Sequence, residues 1–533
     1  MEKRPNFLLF ITDQQRHDHL GCMGNLLLKT PNIDRLAADG TIINQFYVAS
    51  PVCQPNRASL MTGRMPSLHG LRHNGISLDR NATTFVHQLR DAGYKTALIG
   101  KSHLQNFLDL EPGYERPFPP EGFEPPHQEH AEALHKSTDD RDYLYEKGSS
   151  WADPNFNIPI PYYGFDFIRL LTGHGDNVGG HYRHWLAANR TDAQQPGIEH
   201  ALAHSEYGSP QTYQTAVPPH LHHTAYVAQE TSSYLDKYAE SGTDAPFFIQ
   251  CSFPDPHHPF AVPGKYWDMY DPKAVTLPRS FYDSSHEQTP PLAIIYEQYK
   301  TSSTPVGWTA PFIADEMPAK EMIAKTYGMI SFIDDAVGQV MGKLKHLGLD
   351  ETTVVCFISD HGDWLGSHGL FLKGPLHYQS LIRMPFIWRD CNPTYNSGRQ
   401  DAIGSTIDLG CTLLHRAKIA PFNGNQGKNL LPVLAGDPTM GHENVLVEQT
   451  TQYIYLGLDR IMRVFSLVSK KWRLTVWEGK EWGELYDLQA DPEELNNLWD
   501  DSQFAAEKSH FLLQMVQRMQ SLNDTSPFPS AIA

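Results

Sequence analysis

Four short apolar runs in this chain each lead into a polar or ionisable cluster, a pattern that predicts a parallel β-sheet carrying its chemistry along one edge. Phe7 to Thr12 ends at Asp13-Gln14, and Thr96 to Ile99 at Gly100-Lys101-Ser102-His103. Phe247 to Ser252 leads to Asp255-Pro256-His257-His258, and Thr353 to Ser359 ends at Asp360-His361-Gly362-Asp363. Strands buried on both faces read as continuous apolar runs, and ligands bind beyond the C-terminal ends of such strands. Helical segments lie between these runs. Thr30 can cap a helix over 31–38 with Pro31 at its first position, and 84–91 reads similarly before Gly93. Over 320–347, Ile323, Tyr327, Ile330, Val337, Met341 and Leu344 recur along one side. That helix leads through a short Gly-containing turn into the run at 353, which makes an α/β unit with the Met and aromatic residues in the core.

Two stretches depart from this alternation. Residues 111–235 are rich in Pro, Gly, Tyr, Asp and His with weak periodicity, and read as a long insertion of the lid or wall type. His181, His184, His220, His222 and His223 there raise the idea of a second metal. They lack an accompanying Cys or carboxylate at a recognised spacing and read as surface or structural histidines. After the polar, Gly-rich stretch around 421–441, short strands over 445–447, 453–456, 462–467 and 472–477 predict a meander, with 484–488 as a further edge. Asp491-Pro-Glu-Glu reads as a helix start, 507–522 as a helix and 526–533 as a frayed tail. The expected fold is α/β, a mostly parallel sheet flanked by helices over 1–425, followed by a smaller C-terminal α+β domain with an antiparallel sheet over 426–533.

Charge narrows the partners. The 533 residues carry 43 Lys plus Arg against 61 Asp plus Glu, a formal net charge of −18, which argues against a nucleic-acid surface. Arg57, Lys101 and Lys373 can still build a local anion site. Six Cys without a CxxC pair do not suggest a disulfide framework and fit a reducing compartment. The N-terminal apolar run is too short for a signal segment, and no stretch approaches the ~18 to 20 apolar residues that span a bilayer. The expectation is a cytoplasmic protein with no membrane partner.

Cys53-Gln-Pro-Asn-Arg57 places a thiol and a guanidinium four residues apart, so the two can meet if the segment enters a helix. Pro55 favours such a start, and a helix N-terminus offers free N–H groups to an anion. From these residues alone, a thiolate attacking an ester and a buried Cys beside a structural Arg both remain open.

Cys53-x-Pro-x-Arg57 followed by Ala-Ser-Leu-Met-Thr-Gly-Arg64 resembles the signature of type I sulfatases, members of the alkaline phosphatase superfamily. The resemblance extends to Asn6 to Asp13, Thr30 to Leu36, Leu98 to His103, Pro256-His257-His258-Pro259, Ser359 to Asp363, Gly369 to Lys373, and Glu484 to Trp499. It implies an alkaline-phosphatase-like fold and oxidation of Cys53 to formylglycine by a maturation enzyme, the aldehyde hydrate then attacking sulfur or phosphorus. It implies Asp13, Gln14, Asp360 and His361 as ligands of one divalent metal, with the modified Cys53 as a further contact. Arg57 and Lys101 would hold the hydrate, and His103 would be the base that collapses the hemiacetal. His257 and Lys373 would bind ester oxygens and assist the leaving group, His257 taking the place in Pro-His-x-Pro that His258 could otherwise fill. Asp363 would stabilise the loop or a cation from behind its ligands, and Asn74 either touches substrate or forms a turn. A homo-oligomer is expected.

Departures from the commonest sulfatase pattern bear on substrate and metal. Asp13-Gln14 and Asp360-His361 stand where many sulfatases have paired Asp and Asp-Asn, an arrangement similar to that of phosphonate monoester hydrolases and phosphodiesterases of the same superfamily. An imidazole in the shell makes all-oxygen Ca2+ less compelling and Mn2+ a serious alternative. Lys101-Ser-His103 keeps the sulfatase-like cation and base. The resemblance therefore implies hydrolysis of sulfate monoesters, aryl sulfates by expectation, with phosphonate monoester or phosphodiester hydrolysis as the alternative. A phosphatase using an unmodified nucleophile, or a noncatalytic binding protein, accounts for fewer of these residues.

Overall fold

The computed structural model describes residues 3–109, 121–124, 127, 143–282, 289–301 and 310–527. Nine strands form one sheet: β1 (Asn6–Thr12), β2 (Thr41–Tyr47), β3 (Lys95–Lys101), β4 (Phe167–Leu171), β5 (Phe247–Ser252), β6 (Thr353–Ser359), β7 (Arg383–Met384), β8 (Phe386–Arg389) and β9 (Gly398–Ser405). The order is β7-β2-β8-β6-β1-β5-β3-β4, with β9 also on β2. β6, β1, β5, β3 and β4 run parallel, and β8 pairs antiparallel with β6 and β2. The runs that the sequence marks as buried on both faces are the middle of this sheet.

Side chains alternate across it. Phe7, Leu9 and Ile11 of β1 enter one core, whereas Leu8 and Phe10 enter the other. The first core is covered by α2 (Cys53–Thr62) and α3 (Phe85–Asp91) through Ala58, Leu60, Met61, Phe85 and Leu89. Helices α1 (Pro31–Ala38), α4 (His223–Glu240) and α5 (Glu316–His346) cover the second through Ile33, Leu36, Val227, Leu235, Ile323, Ile330 and Val337. Asp334 of α5 accepts the N–H groups of Asn32 and Ile33, which ties the start of α1 to the long helix.

A four-stranded antiparallel sheet follows, β10 (Asn444–Thr450), β11 (Arg463–Ser469), β12 (Trp472–Trp477) and β13 (Gly483–Asp487), in sequential order. One face, through Val445, Val447, Val464 and Val468, joins the first core of the main sheet. The other packs Leu446, Leu467, Leu474 and Leu485 against Phe511 and Met515 of α6 (Ala505–Ser521). Among the described residues no helix is long and apolar enough to cross a membrane.

Three expectations need correction. The stretch 111–235 is not wholly an insertion, because β4 inside it is a strand of the main sheet and α4 begins there; 111–120, 125–126 and 128–142 lie outside the described residues. Residues 453–456 are not a strand. The β10–β11 register pairs Thr450 with Arg463, so 451–462 forms the connecting loop, with Leu456 at φ 56°. Asp491-Pro-Glu-Glu does not open a helix either. Glu494 takes φ 56°, and its carboxylate binds Arg473 and the N–H of Gln379, contacts that fix this segment as a turn. Of the expected frayed tail, 528–533 lies outside the described residues.

Candidate active site

The downstream ends of β6, β1, β5 and β3 lie side by side, and each delivers side chains to one place. Asp13 and Gln14 follow β1, Lys101 ends β3, His257 and His258 lie on the loop after β5, and Asp360 and His361 follow β6. Cys53 is the first residue of α2, whose ten residues are all buried. Val52 offers the helix no side-chain cap, and the N–H of Gln54 donates to Asn74 Oδ1 at 3.3 Å. The same Asn74 oxygen lies 3.5 Å from Cys53 Sγ, which favours the turn carrying Asn74 as a support for the helix start.

One turn further along α2, Arg57 is locked from three sides. Its Nε donates to Asp360 Oδ2 at 2.7 Å, and its Nη1 donates to Ser252 Oγ at 2.9 Å and the Lys101 carbonyl at 3.1 Å. Nη2 lies 3.7 Å from Asp13 Oδ2. Lys101 Nζ contacts Asp13 Oδ2 and stands 2.6 Å from His174 Nε2. Lys373 Nζ lies 3.1 Å from His361 Nε2 and 3.2 Å from His257 Nε2. The structure thus gathers all ten residues singled out in the sequence. His103 is buried with neither ring nitrogen hydrogen-bonded, and its ring stacks on Phe107 at 4.2 Å. Asp363 accepts from Gln14 Nε2 and from the N–H groups of Leu365 and Leu372, which makes it a brace for the loop.

His174 was not singled out from the sequence, yet its ring stacks on His257 at 3.6 Å and its Nε2 is 3.6 Å from Asp13 Oδ2. Its signal was the apolar run of β4 ending in Thr172-Gly-His174-Gly, hidden in a stretch of weak periodicity.

Burial and the neighbouring cations set the charges. Burial opposes ionisation of Asp360, but His361, Arg57, Lys101 and Lys373 outweigh it and hold the carboxyl below its ordinary range. Burial, reinforced by nearby positive charge, pushes His103, His174, His257 and His258 well below 6.5, and His361 to about 3. Uncharged imidazoles can accept protons or donate a lone pair to a metal. Asp13 Oδ1 and Gln14 Oε1 are buried without a hydrogen-bond partner, and ligand atoms of Asp13, Asp360 and His361 lie within 4.8 Å of one another. Orphaned oxygens beside two carboxylates and an imidazole suit a divalent cation.

Above these groups opens a cavity of ≈ 350 Å³ with Cys53, His174, His257 and Lys373 at its base. Phe107, Leu108, Tyr453 and Tyr455 form apolar parts of its wall, and Asn74, Asn177, Gln211, Gln449 and Gln452 supply neutral amides.

The model of the sulfatase family matches residues 5–419. The chain belongs to the sulfatase family. A second match, over 366–523, is to the C-terminal region of N-sulphoglucosamine sulphohydrolase. This sulfatase is 27% identical to the uncharacterized sulfatase YidJ of Escherichia coli over 99% of its own length and 89% of that protein. It is 26% identical to an arylsulfatase of Clostridium perfringens over 94% of its own length and 91% of that protein. The phosphonate monoester hydrolase of Agrobacterium radiobacter shares the fold, with a TM-score of 0.75 and 23% identity over 98% of this chain and 97% of that one. The sulfatase is therefore a sulfuric ester hydrolase. Its family generally uses a metal ion and a formylglycine, and the site has candidate ligands for the ion.

Proposed function

We propose that this sulfatase hydrolyses aryl sulfate monoesters with a formylglycine derived from Cys53 and one divalent ion, Ca2+ or Mn2+, held by Asp13, Gln14, Asp360, His361 and the modified side chain at 53. The observation that carries this is the cavity itself. Cys53, His174, His257 and Lys373 lie at its base, with aromatic side chains and neutral amides above. Formylglycine supplies a geminal hydroxyl as nucleophile, and the ion supplies a Lewis acid that lowers its pKa and offsets charge on the ester oxygens.

The chain's own residues do the rest. Arg57, immobilised by Asp360, Ser252 and the Lys101 carbonyl, presents a fixed charge beside residue 53. Lys101 adds a second cation on the Asp13 side of the site. His103, uncharged and unpartnered, takes a proton when the leaving sulfate is expelled. His257 Nε2 and Lys373 Nζ, 3.2 Å apart, hold ester oxygens and give a proton to the departing phenolate. Phe107 shields His103 from water. A formylglycine-generating enzyme is the required partner, and a cytoplasmic location fits the six free cysteines.

The second reading, phosphonate monoester or phosphodiester hydrolysis, is favoured by the neutral Gln14 and His361 among the ligands. Peptide mass spectrometry across Cys53 tests the nucleophile: aldehyde or hydrate is expected, and an obligatory unmodified thiol in active enzyme would sink the mechanism. Parallel kcat/KM values on an aryl sulfate, a phosphonate monoester and a phosphodiester decide the substrate, with aryl sulfate expected to lead. A larger value for either phosphorus ester would replace the aryl sulfatase reading with the second one.

A further inference from the structure

We propose that His222, His223 and Asp255 bind a second, structural transition-metal ion of the Zn2+ class behind the active-site loop. All three side chains are buried, at 1% exposure each. They come from two places in the chain, His222 and His223 from the start of α4 and Asp255 from the loop after β5.

Their spacing is that of shared ligands. His223 Nε2 lies 3.6 Å from Asp255 Oδ1, and His222 Nδ1 lies 3.8 Å from Asp255 Oδ2. A hydrogen bond keeps its heavy atoms within about 3.2 Å. Two ligands at about 2.0–2.1 Å from a tetrahedral ion stand roughly 3.3 Å apart, closer to what is found here. The candidate metal site of the active centre shows the same two separations: His361 Nε2 is 3.6 Å from Asp360 Oδ1 and 3.8 Å from Asp13 Oδ1.

The atoms are also short of partners. His223 Nδ1 and Nε2 and Asp255 Oδ1 are all buried without a hydrogen bond, while the His222 ring is hydrogen-bonded to the Ala261 backbone. Thr224 contacts two of the three residues, its Oγ1 donating to Asp255 Oδ2 at 2.5 Å and its N–H to His222 Nδ1 at 3.3 Å. Its hydroxyl orients the carboxylate from behind, as outer partners do at metal centres, and the ion would take the His222 Nδ1 lone pair that the Thr224 N–H now holds. Two imidazoles and one carboxylate select a borderline ion such as Zn2+ over Ca2+ or Mg2+, which take six or more oxygens, and a water completes four-coordination.

None of the three residues lines the active-site cavity, so this ion would not touch substrate. It would position the residues that do. The Asp255 carbonyl accepts the Asp13 N–H at 3.0 Å, and His257 follows two residues later. One ion would thus clamp the start of α4 to the loop that carries His257 and, through the main chain, to the end of β1.

Metal analysis decides the matter. Among the described residues Asp13 belongs to both other clusters that could hold an ion, so Asp13→Asn disables those and leaves this one. Purified D13N enzyme, loaded with Zn2+ and exhaustively dialysed, is expected to retain one equivalent, and D13N/H223Q none. Cobalt-loaded D13N should show the visible absorption of a four-coordinate site. Retention of no transition metal by D13N, or equal retention by D13N and D13N/H223Q, would overturn the proposal. Should H223Q fail to fold, Asp255→Asn replaces it, and if that fails too the D13N count and cobalt spectrum decide alone.

Discussion

Two clusters of buried charge invite comparison, one at the strand ends of the main sheet and one inside the C-terminal sheet. In the second, Arg473 on β12 sits between Glu484 and Glu494, all three essentially inaccessible. Its Nη1 donates to Glu484 Oε2 and Thr475 Oγ1 at 2.6 Å each, and its guanidinium lies 4.7 Å from the Tyr486 ring and 5.4 Å from that of Tyr378. Carboxylates and ring faces enclose this cation. At the strand ends the same residue types are arranged differently. Arg57 is held as tightly as Arg473, but Asp13 Oδ1, Gln14 Oε1 and both nitrogens of His103 face no protein partner. Arg473 Nη2 lacks a partner too, so buried charge with unfilled bonding capacity is common to both clusters, and a cavity with Cys53, His257 and Lys373 at its base distinguishes the proposed catalytic one.

Substitutions can break this division. The largest effect is expected from Cys53→Ala, which should abolish aryl sulfate turnover while the melting temperature stays near that of the wild type; residual turnover in a standard chromogenic assay would disqualify residue 53 as the nucleophile. Lys101→Ala and Lys373→Ala should each lower kcat by about a hundredfold, the roughly 3 kcal/mol carried by one well-aimed charge. Arg473→Met should do the reverse, costing about 3–5 kcal/mol of stability in denaturant titration because two buried carboxylates lose their cation, with kcat per folded molecule maintained. If R473M instead impaired kcat in a stable protein, the division between the two clusters would fail. The smallest effect belongs to the cavity wall. The Tyr453 ring packs at a tilt against that of Tyr455, 4.6 Å between centroids, and Tyr453→Ala should raise KM for aryl sulfates about fivefold, equivalent to ~1 kcal/mol of aromatic contact, without changing kcat.

The central strands were legible because burial on both faces forces continuous apolar runs, and the polar residues after them stand out by contrast. The helix at Cys53 was legible through Pro55 and the residues after it, which pack into the core. What the sequence hid is of another kind. The Tyr453 to Leu456 segment has strand-like composition, but its tyrosines are used on a cavity wall and the hairpin register excludes it from pairing. Asp491-Pro carries a helix-start signal that a buried ion pair through Glu494 overrides. His222 and His223 looked isolated because their carboxylate, Asp255, is remote in sequence and meets them only when α4 packs beside β5. Local pattern reports an element well and reports poorly any contact made after the elements assemble.

The central position of β1 has a consequence in time. Its register pairs Asn6 with Thr353 and Thr12 with Ser359, so β1 is translated about 340 residues before one of its two neighbours. At 5–20 residues per second, roughly 20–70 s of synthesis pass before that neighbour exists. During that interval an apolar strand edge stays unpaired, so the nascent protein should depend on chaperones far more than the finished enzyme does.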